Sequence, residues 1–355
     1  MSRRIVLTGG GTAGHVNPNL ALVDSLRQAG WEISYIGSQG GIEQELVKDL
    51  PFYGISSGKL RRYFDWRNFT DPFKVLLGLG QAYAILGQLQ PQLVFSKGGF
   101  VTVPVVVAAW WRGIPVVIHE SDYSPGLANK LAVPFAKEVW VTFPETRQYI
   151  PRAKVVGLPI RSDLLMGDRQ RGLDFCCFDS SKPVLLVMGG SSGAQRINQV
   201  IWQGLPSLTD RYQVIHLCGK GNTKPELENV PYYRQFAYLT TELKDCLAAA
   251  DVVVSRAGAN SLFELLALQK PHLLIPLSTK ASRGDQILNA RSFAQAGYSA
   301  VLPEEELTVA SLLAALDRLW QDKDMYIQNM QKSSVQNPIE WMVAQFSNIS
   351  RGDKF

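Results

Sequence analysis

One pattern, used twice, most constrains how this chain can fold: a short apolar run, a glycine-rich turn, then a helical period. It reads IVLTGGGTAGH at residues 5–15 and VLLVMGGSSGAQ at 184–195. Such runs suit strands buried on both faces, as in parallel sheets. They predict strands at 4–8, 32–36, 92–95, 115–118 and 138–141, and again at 183–188, 212–217, 251–254, 272–275 and 299–301, with helical patterns between. Each half is therefore expected to form an open, doubly wound α/β sheet. A chain of 355 residues has room for two such domains. VVGLPIRSDLL (155–165), with Gly157 and Pro159, is the expected boundary. Ligands of these sheets bind beyond the carboxyl ends of the strands. Two halves facing each other there would make one interdomain cleft.

The first turn is a weak dinucleotide fingerprint. Gly9, Gly11 and Gly14 have the spacing, but the second strand, WEISYIGS, ends in Gly37 and Ser38 without a carboxylate for a ribose. Gly9, Gly10 and Gly11 let the backbone turn sharply and approach a ligand. His15 ends the turn, and a histidine there is a candidate general base.

The net charge of +5 favours an anionic partner without choosing among nucleic acid, lipid and phosphorylated substrate. The four cysteines lack metal-ligand or CxxC spacing and read as reduced thiols. RRIVLTGG has a basic start, but its apolar run is cut by glycines at once, which argues against a signal peptide. No apolar stretch reaches the roughly 20 residues of a membrane span. Asp322 and Asp324 form the only DxD, late in the chain, so no metal site is expected.

GGSSGAQRIN (189–198) is the strongest phosphate candidate. Gly189, Gly190 and Gly193 free backbone N–H groups, Ser191 and Ser192 add hydroxyls, and a helix N-terminus follows. A tight, serine-capped turn is the alternative. In SRAGANSLFELLAL (255–268), Glu264 lies in an apolar helix and needs a partner: a ribose diol, Arg256 or solvent. In STKASRGDQILNA (278–290), Asp285 and Gln286 suit sugar hydroxyls, although Asp285 also suits a helix cap. FSKGGFVTVP (95–104) offers Lys97, Gly98 and Gly99 as a further anion cradle. IHESDYSPGLANK adds His119, Glu120, Asp122 and Asn129. His216 and His272 read as core residues. Without a metal, a diphosphate leaving group must be stabilised by a helix dipole, N–H groups and hydroxyls.

Residues 59–67 place Lys59, Arg61, Arg62 and Arg67 among Tyr63, Phe64 and Trp66. Phe73, Leu76, Leu77, Leu79, Gly80 and Tyr83 follow, and Trp110, Trp111 and Arg112 repeat the pairing of aromatic and basic residues. This composition suits a lipid headgroup interface; an ordinary helix with a solvated basic loop is the alternative. No nucleic-acid motif accompanies it.

GGGTAGH, SKGGF, IHESD with PGLANK, GGSSGAQRIN, SRAGANSLFE and GDQILNA occur in the order found in the MurG family of bacterial cell-wall glycosyltransferases, which the chain resembles from its first strand to about residue 345. The resemblance implies a GT-B fold, two Rossmann-like domains at 1–160 and 161–336, with a last helix at about 337–350 crossing back to the first. It implies transfer of N-acetylglucosamine from UDP-N-acetylglucosamine to lipid I, the undecaprenyl-diphosphate-linked N-acetylmuramoyl pentapeptide. The product would be a β-1,4 linkage formed with inversion, giving lipid II without a cofactor. In the second domain Glu264 would hold the ribose, the backbone at Ala237 the uracil, Ser191 with Arg161 the diphosphate, and Gln286 with Asp285 the sugar. Gly190, Ser192 and Arg256 would support them. In the first domain Gly10, Gly11, Thr12, Gly14, Lys97, Gly98, Gly99 and Asn129 would receive the acceptor, with His15 as base and Glu120 or Asp122 next in line. The implied location is the cytoplasmic face of the cell membrane, peripherally on anionic lipid. Cell-wall synthesis or division proteins stay open as partners, and nucleic acid is not expected. Three departures stand out: Ala13 in place of a glycine, Leu158 in place of an asparagine in GLPIR, and Asp285 in place of a glutamine.

Overall fold

The computed structural model describes residues 3–58, 67–190, 193–279, 282–333 and 337–351, with 67–72 as backbone alone. The chain forms two compact units, Met1–Arg161 with Gln336–Phe355, and Ser162–Val335.

The first unit holds β1 (Arg3–Thr8), β2 (Trp31–Ser38), β3 (Phe52–Ile55), β4 (Leu93–Ser96), β5 (Val116–Glu120), β6 (Glu138–Val141) and β7 (Lys154–Val155). They form one sheet in the order β3-β2-β1-β4-β5-β6-β7, with every pairing parallel. Alternate residues serve opposite faces, as the strand period of two requires. Ile5, Leu7, Leu93 and Phe95 join one core cluster, and Val6 and Val94 join another. Both faces are therefore covered, which explains why these strands read as unbroken apolar runs.

The helix Ile339–Arg351 belongs to this unit. Its Ile339, Met342, Val343, Phe346 and Ile349 are buried at helical spacing. The Phe346 ring lies 5.0 Å from Phe95 and 5.2 Å from Trp140, between centroids. The amide of Asn337 brackets Ile160, donating to its carbonyl at 2.9 Å and accepting from its N–H at 3.4 Å.

The second unit holds β8 (Val184–Met188), β9 (Gln213–Leu217), β10 (Tyr233–Phe236), β11 (Val252–Ser255), β12 (His272–Leu274) and β13 (Ala300–Val301). Their order is β10-β9-β8-β11-β12-β13, again all parallel. His216 and His272 are in this core, and burial pushes them down to about 3 and about 4.

Both sheets share one topology. The strand order runs outward in one direction from the opening strand and then resumes on its other side. Each sheet thus has a switch point, between β1 and β4 in one and between β8 and β11 in the other. The crevice beyond the carboxyl ends at a switch point is where open α/β sheets bind ligands.

Candidate active site

In the first unit, the turns after β1, β4 and β5 are hydrogen-bonded to one another. Lys97 N–H donates to the Thr8 carbonyl at 2.9 Å, and Gly10 N–H donates to the Gly98 carbonyl at 3.2 Å. Gly98 and Gly99 have φ of +89° and +90°, which favours glycine. A β-carbon at Gly99 would also collide with the Gly10 carbonyl oxygen. The Tyr35 hydroxyl donates to the Gly9 carbonyl at 2.8 Å. His15 stands in the first turn of the helix Ala13–Leu20, behind Thr12 and Gly14. Its Nδ1 is 3.0 Å from the Gly10 carbonyl and 3.3 Å from the Thr12 hydroxyl. Because a carbonyl can only accept, Nδ1 carries the proton and the neutral ring has its lone pair on Nε2.

Lys97 departs from the expected anion cradle. Its side chain is 1% exposed, and its Nζ bonds to Ser121 Oγ at 2.7 Å and to His119 Nδ1. Burial pulls its pKa down to about 7, against the opposing pull of Glu120 and Asp122. His119 Nε2–H donates to the Gly157 carbonyl at 2.8 Å. Burial first, and Lys97 second, hold His119 well below its ordinary value. Glu120 is likewise committed: its carboxylate accepts from Asp122 N–H at 3.0 Å, Gly126 N–H at 2.8 Å and Asn129 Nδ2 at 2.8 Å. That fixes the loop 121–126 and the buried Asn129 beside Gly98. The structure therefore brings Gly10, Gly98, Gly99, Asn129, Lys97 and His15 together at one switch point, but Lys97 serves as an internal brace.

The N–H groups of Gly10 and Gly11 are engaged within the fold: the Gly98 carbonyl accepts from the first and Glu43 Oε2 from the second at 3.2 Å. Sequence reasoning missed Glu43. The available signal was an acid just after a second glycine-rich turn, GSQGG at 37–41.

In the second unit, Gly190 follows β8 with φ +85° and accepts from Gly193 N–H at 2.9 Å. Gly193 has φ +75°, and a β-carbon there would strike the Cys218 carbonyl. The helix Gln195–Gln203 starts directly after this turn. Ser191 and Ser192 lie outside the described residues. Arg256, after β11, is buried and ion-paired with Glu304, and its Nη1 donates to the Ile275 carbonyl at 3.1 Å. Its acidic partner is thus Glu304, not Glu264. Glu304 also accepts from Ser278 N–H at 3.1 Å. Burial opposes its ionisation, but the Arg256 and Ser278 hydrogen bonds outweigh burial and hold its pKa below the usual range.

Glu264 is half-buried on the helix Ala259–Ala267, which opens at Gly258. Gln286 sits in the first turn of Asp285–Gln295, and its side-chain oxygen accepts from Leu277 N–H at 3.0 Å. Asp285 lies 3.4 Å from Arg283 in an ion pair, and Gly284 rather than Asp285 occupies the cap position. Ala237 follows the edge strand β10, and Arg161 is the last residue of the first unit before the chain leaves it.

Residues 5–141 match the glycosyltransferase family 28 N-terminal domain, and residues 184–345 match its C-terminal domain. The chain belongs to glycosyltransferase family 28. A family 28 fold, two Rossmann-like domains of the GT-B class, agrees with the two switch-point sheets. The chain is similar to a Geobacillus thermodenitrificans protein named UDP-N-acetylglucosamine–N-acetylmuramyl-(pentapeptide) pyrophosphoryl-undecaprenol N-acetylglucosamine transferase, being 54% identical over 356 residues, 99% of this chain and 100% of that one. A Clostridium perfringens protein of the same name is 54% identical over 340 residues, 95% of each chain. Among solved structures, Acinetobacter baumannii MurG matches with a TM-score of 0.75 at 25% identity, over 98% of this chain and 99% of that one.

The first unit also carries an apolar surface. Phe73, Leu76 and Leu77 of the helix Arg67–Leu89 are exposed, as are Trp110 and Trp111 of the helix Thr102–Trp111. Leu76, Leu79, Gly80, Tyr83 and Trp111 line a shallow groove, with the Arg112 guanidinium 3.8 Å above the Tyr83 ring. Lys59, Arg61, Arg62, Tyr63, Phe64 and Trp66 lie outside the described residues, as does the side chain of Arg67. Among the described residues no helix is long and apolar enough to cross a membrane.

Proposed function

We propose that this chain transfers N-acetylglucosamine from UDP-N-acetylglucosamine to the N-acetylmuramoyl sugar of undecaprenyl-diphosphate-linked pentapeptide, with inversion at the anomeric carbon. The observation that carries this is identity of 54% to a transferase of that name along 99% of the chain. The chemistry at the two switch points supports it.

The donor belongs to the second unit. Its diphosphate takes the glycine turn at 189–193 and the N-terminus of the helix Gln195–Gln203, where backbone N–H groups and the helix dipole favour an anion. Ser191 and Ser192 add hydroxyl donors and Arg161 a cation. Glu264 accepts from the ribose hydroxyls, and the backbone at Ala237 reads the uracil edge. The Gln286 oxygen is taken by Leu277, so its Nε2 is the end that donates to the sugar. Asp285 assists. Arg256 acts indirectly: its pair with Glu304 holds the loop at Ser278 in place.

The acceptor belongs to the first unit, at Thr12, Gly14, Gly98 and Gly99, on a surface braced by Gly10, Gly11, Lys97 and Asn129. His15 Nε2 takes the proton of the attacking hydroxyl. That oxygen bonds to the anomeric carbon as the bond to UDP breaks, through an oxocarbenium-like state. The electron pair leaves on the diphosphate, where the glycine turn stabilises it.

The exposed apolar surface around Leu76, Leu77 and Trp111 seats the first unit on a membrane, with the basic residues at 59–67 favouring anionic lipid. In this reading the protein is peripheral, on the cytoplasmic side of the cell membrane.

The deciding experiment measures UDP release from UDP-N-acetylglucosamine with and without a lipid I analogue. Release that depends on the analogue, with a disaccharide product, is expected. Equal release in its absence marks a hydrolase or epimerase and overturns the proposal.

A further inference from the structure

Glu43 is unused by the chemistry above, yet it is fully buried at 0% exposure. It sits on the short helix Ile42–Leu46 after β2. Its Oε1 accepts from Ser38 N–H at 2.7 Å and its Oε2 from Gly11 N–H at 3.2 Å. Among the described residues it forms no ion pair. A carboxylate taken out of water at such a place is costly unless both oxygens are satisfied.

The surrounding backbone is cleared for it. A β-carbon at Gly37 or Gly41 would come within 2.6 Å of the Glu43 side chain, and one at Gly10 would collide with Oε1. Glycines from two different turns are thus shaped around one acid. The carboxylate offers one acceptor oxygen to each turn, Oε1 to Ser38 N–H and Oε2 to Gly11 N–H. A glutamine would satisfy one of them and turn its own NH2 against the other.

Gly11 lies in the same turn as Gly10, whose carbonyl accepts a hydrogen bond from His15 Nδ1–H at 3.0 Å. We infer that Glu43 is a positioning residue for glycosyl transfer: it ties the turn after β1 to the turn after β2 and so fixes the Gly10 carbonyl that orients His15. This deepens, and rests on, the reading of His15 as the base. Glu43 touches neither substrate in this scheme. A misaligned base by about 1 Å costs about 100-fold in rate.

The test uses the full-length protein with UDP-N-acetylglucosamine and a lipid I analogue. Glu43→Gln is expected to lower kcat by about 10- to 100-fold. The KM for UDP-N-acetylglucosamine and the calorimetric affinity for UDP should stay within about 2-fold, because Glu43 bonds to the turns after β1 and β2 and to none of the residues assigned to the donor. Gly41→Ala is an independent probe. Gly41 has φ −81°, so alanine suits its backbone, but the new β-carbon displaces the carboxylate. It should lower kcat alone and add nothing in a Glu43→Ala background, as coupled sites require. Wild-type kcat in Glu43→Gln overturns the inference, as does a parallel loss of UDP affinity. Failure of all three variants to fold overturns it too, since Glu43 would then be a stability residue only. A wild-type protein without acceptor-dependent UDP release would instead sink the transferase reading. His15→Ala with normal turnover would sink the base assignment alone.

Discussion

His15 is held by the backbone it follows, its Nδ1 lying 3.0 Å from the carbonyl oxygen of Gly10. That bond sets the tautomer that leaves a lone pair on Nε2. The carbonyl, in turn, is fixed by the neighbouring turns after β2 and β4, not by the histidine's own helix.

Replacing His15 by alanine should therefore lower kcat by about 100- to 10,000-fold, the range of a general base. The affinity for UDP should change little, because His15 is not among the residues proposed to hold the donor. Steady-state kinetics with varied donor, together with calorimetry of UDP binding, checks both halves of this expectation.

Lys97 predicts a pH dependence of stability. Its pKa is about 7 when folded and about 10.4 when unfolded. Between those values the unfolded chain binds the extra proton, so stability rises with pH across that window; below about pH 7 both states are protonated and the contribution is flat. Lys97→Met removes this slope. Denaturant unfolding of both proteins at several pH values from about 7 to about 10 should show the wild type gaining on the variant as pH rises. A constant difference would show that Lys97 stays charged in the fold.

The Arg256–Glu304 pair predicts a coupled loss in the second unit. Both side chains are mostly buried, and Glu304→Ala strands a guanidinium among the Ile275 and Ser278 backbone. A cost of about 3 kcal/mol is expected, with a raised KM for UDP-N-acetylglucosamine as the 277–286 loop loses its anchor. The depressed pKa of Glu304 contributes stability present above its unfolded value and lost as pH falls through the folded one. The wild type, but not the variant, should show that acid-side loss in urea titrations. An unchanged KM with lowered stability would confine the pair to folding.

These cases show what was legible in the sequence. Runs such as IVLT and VLLVM announce strands covered on both faces, and the glycine turns announce positive φ, because both signals are local. The three strands not foreseen, Phe52–Ile55, Lys154–Val155 and Tyr233–Phe236, are short, and each forms an edge of its sheet. FYGI, KV and YRQF lack an apolar run because an edge strand is only partly covered. Glu43 and Glu304 were hidden for another reason. Gly11, which Glu43 ties to its own turn, stands 32 residues away and Arg256 stands 48 from Glu304, so these links appear only in the folded topology. Lys97 was visible as a cation beside a glycine turn, but its burial was not, since that depends on His119 and Ser121 arriving from β5.

The apolar surface supplies the last prediction. Phe73 is 75% exposed and Trp111 57%, more than a lone solvated side chain needs in a region that also lines a groove. Leu76 and Leu77 stand beside them. Replacing both leucines by serine should weaken binding to vesicles by about 2 kcal/mol, about 30-fold, if each inserts about half of its side chain into the headgroup boundary. Sedimentation with vesicles rich in anionic lipid, with neutral vesicles, and at raised salt separates the two contributions. The leucine pair should lower binding to both lipids, whereas salt should weaken only binding to the anionic one. Turnover on a short-chain, soluble acceptor analogue should be unchanged, because these side chains touch no substrate. Loss of that turnover would mean the surface supports the fold of the acceptor site instead of seating it on lipid.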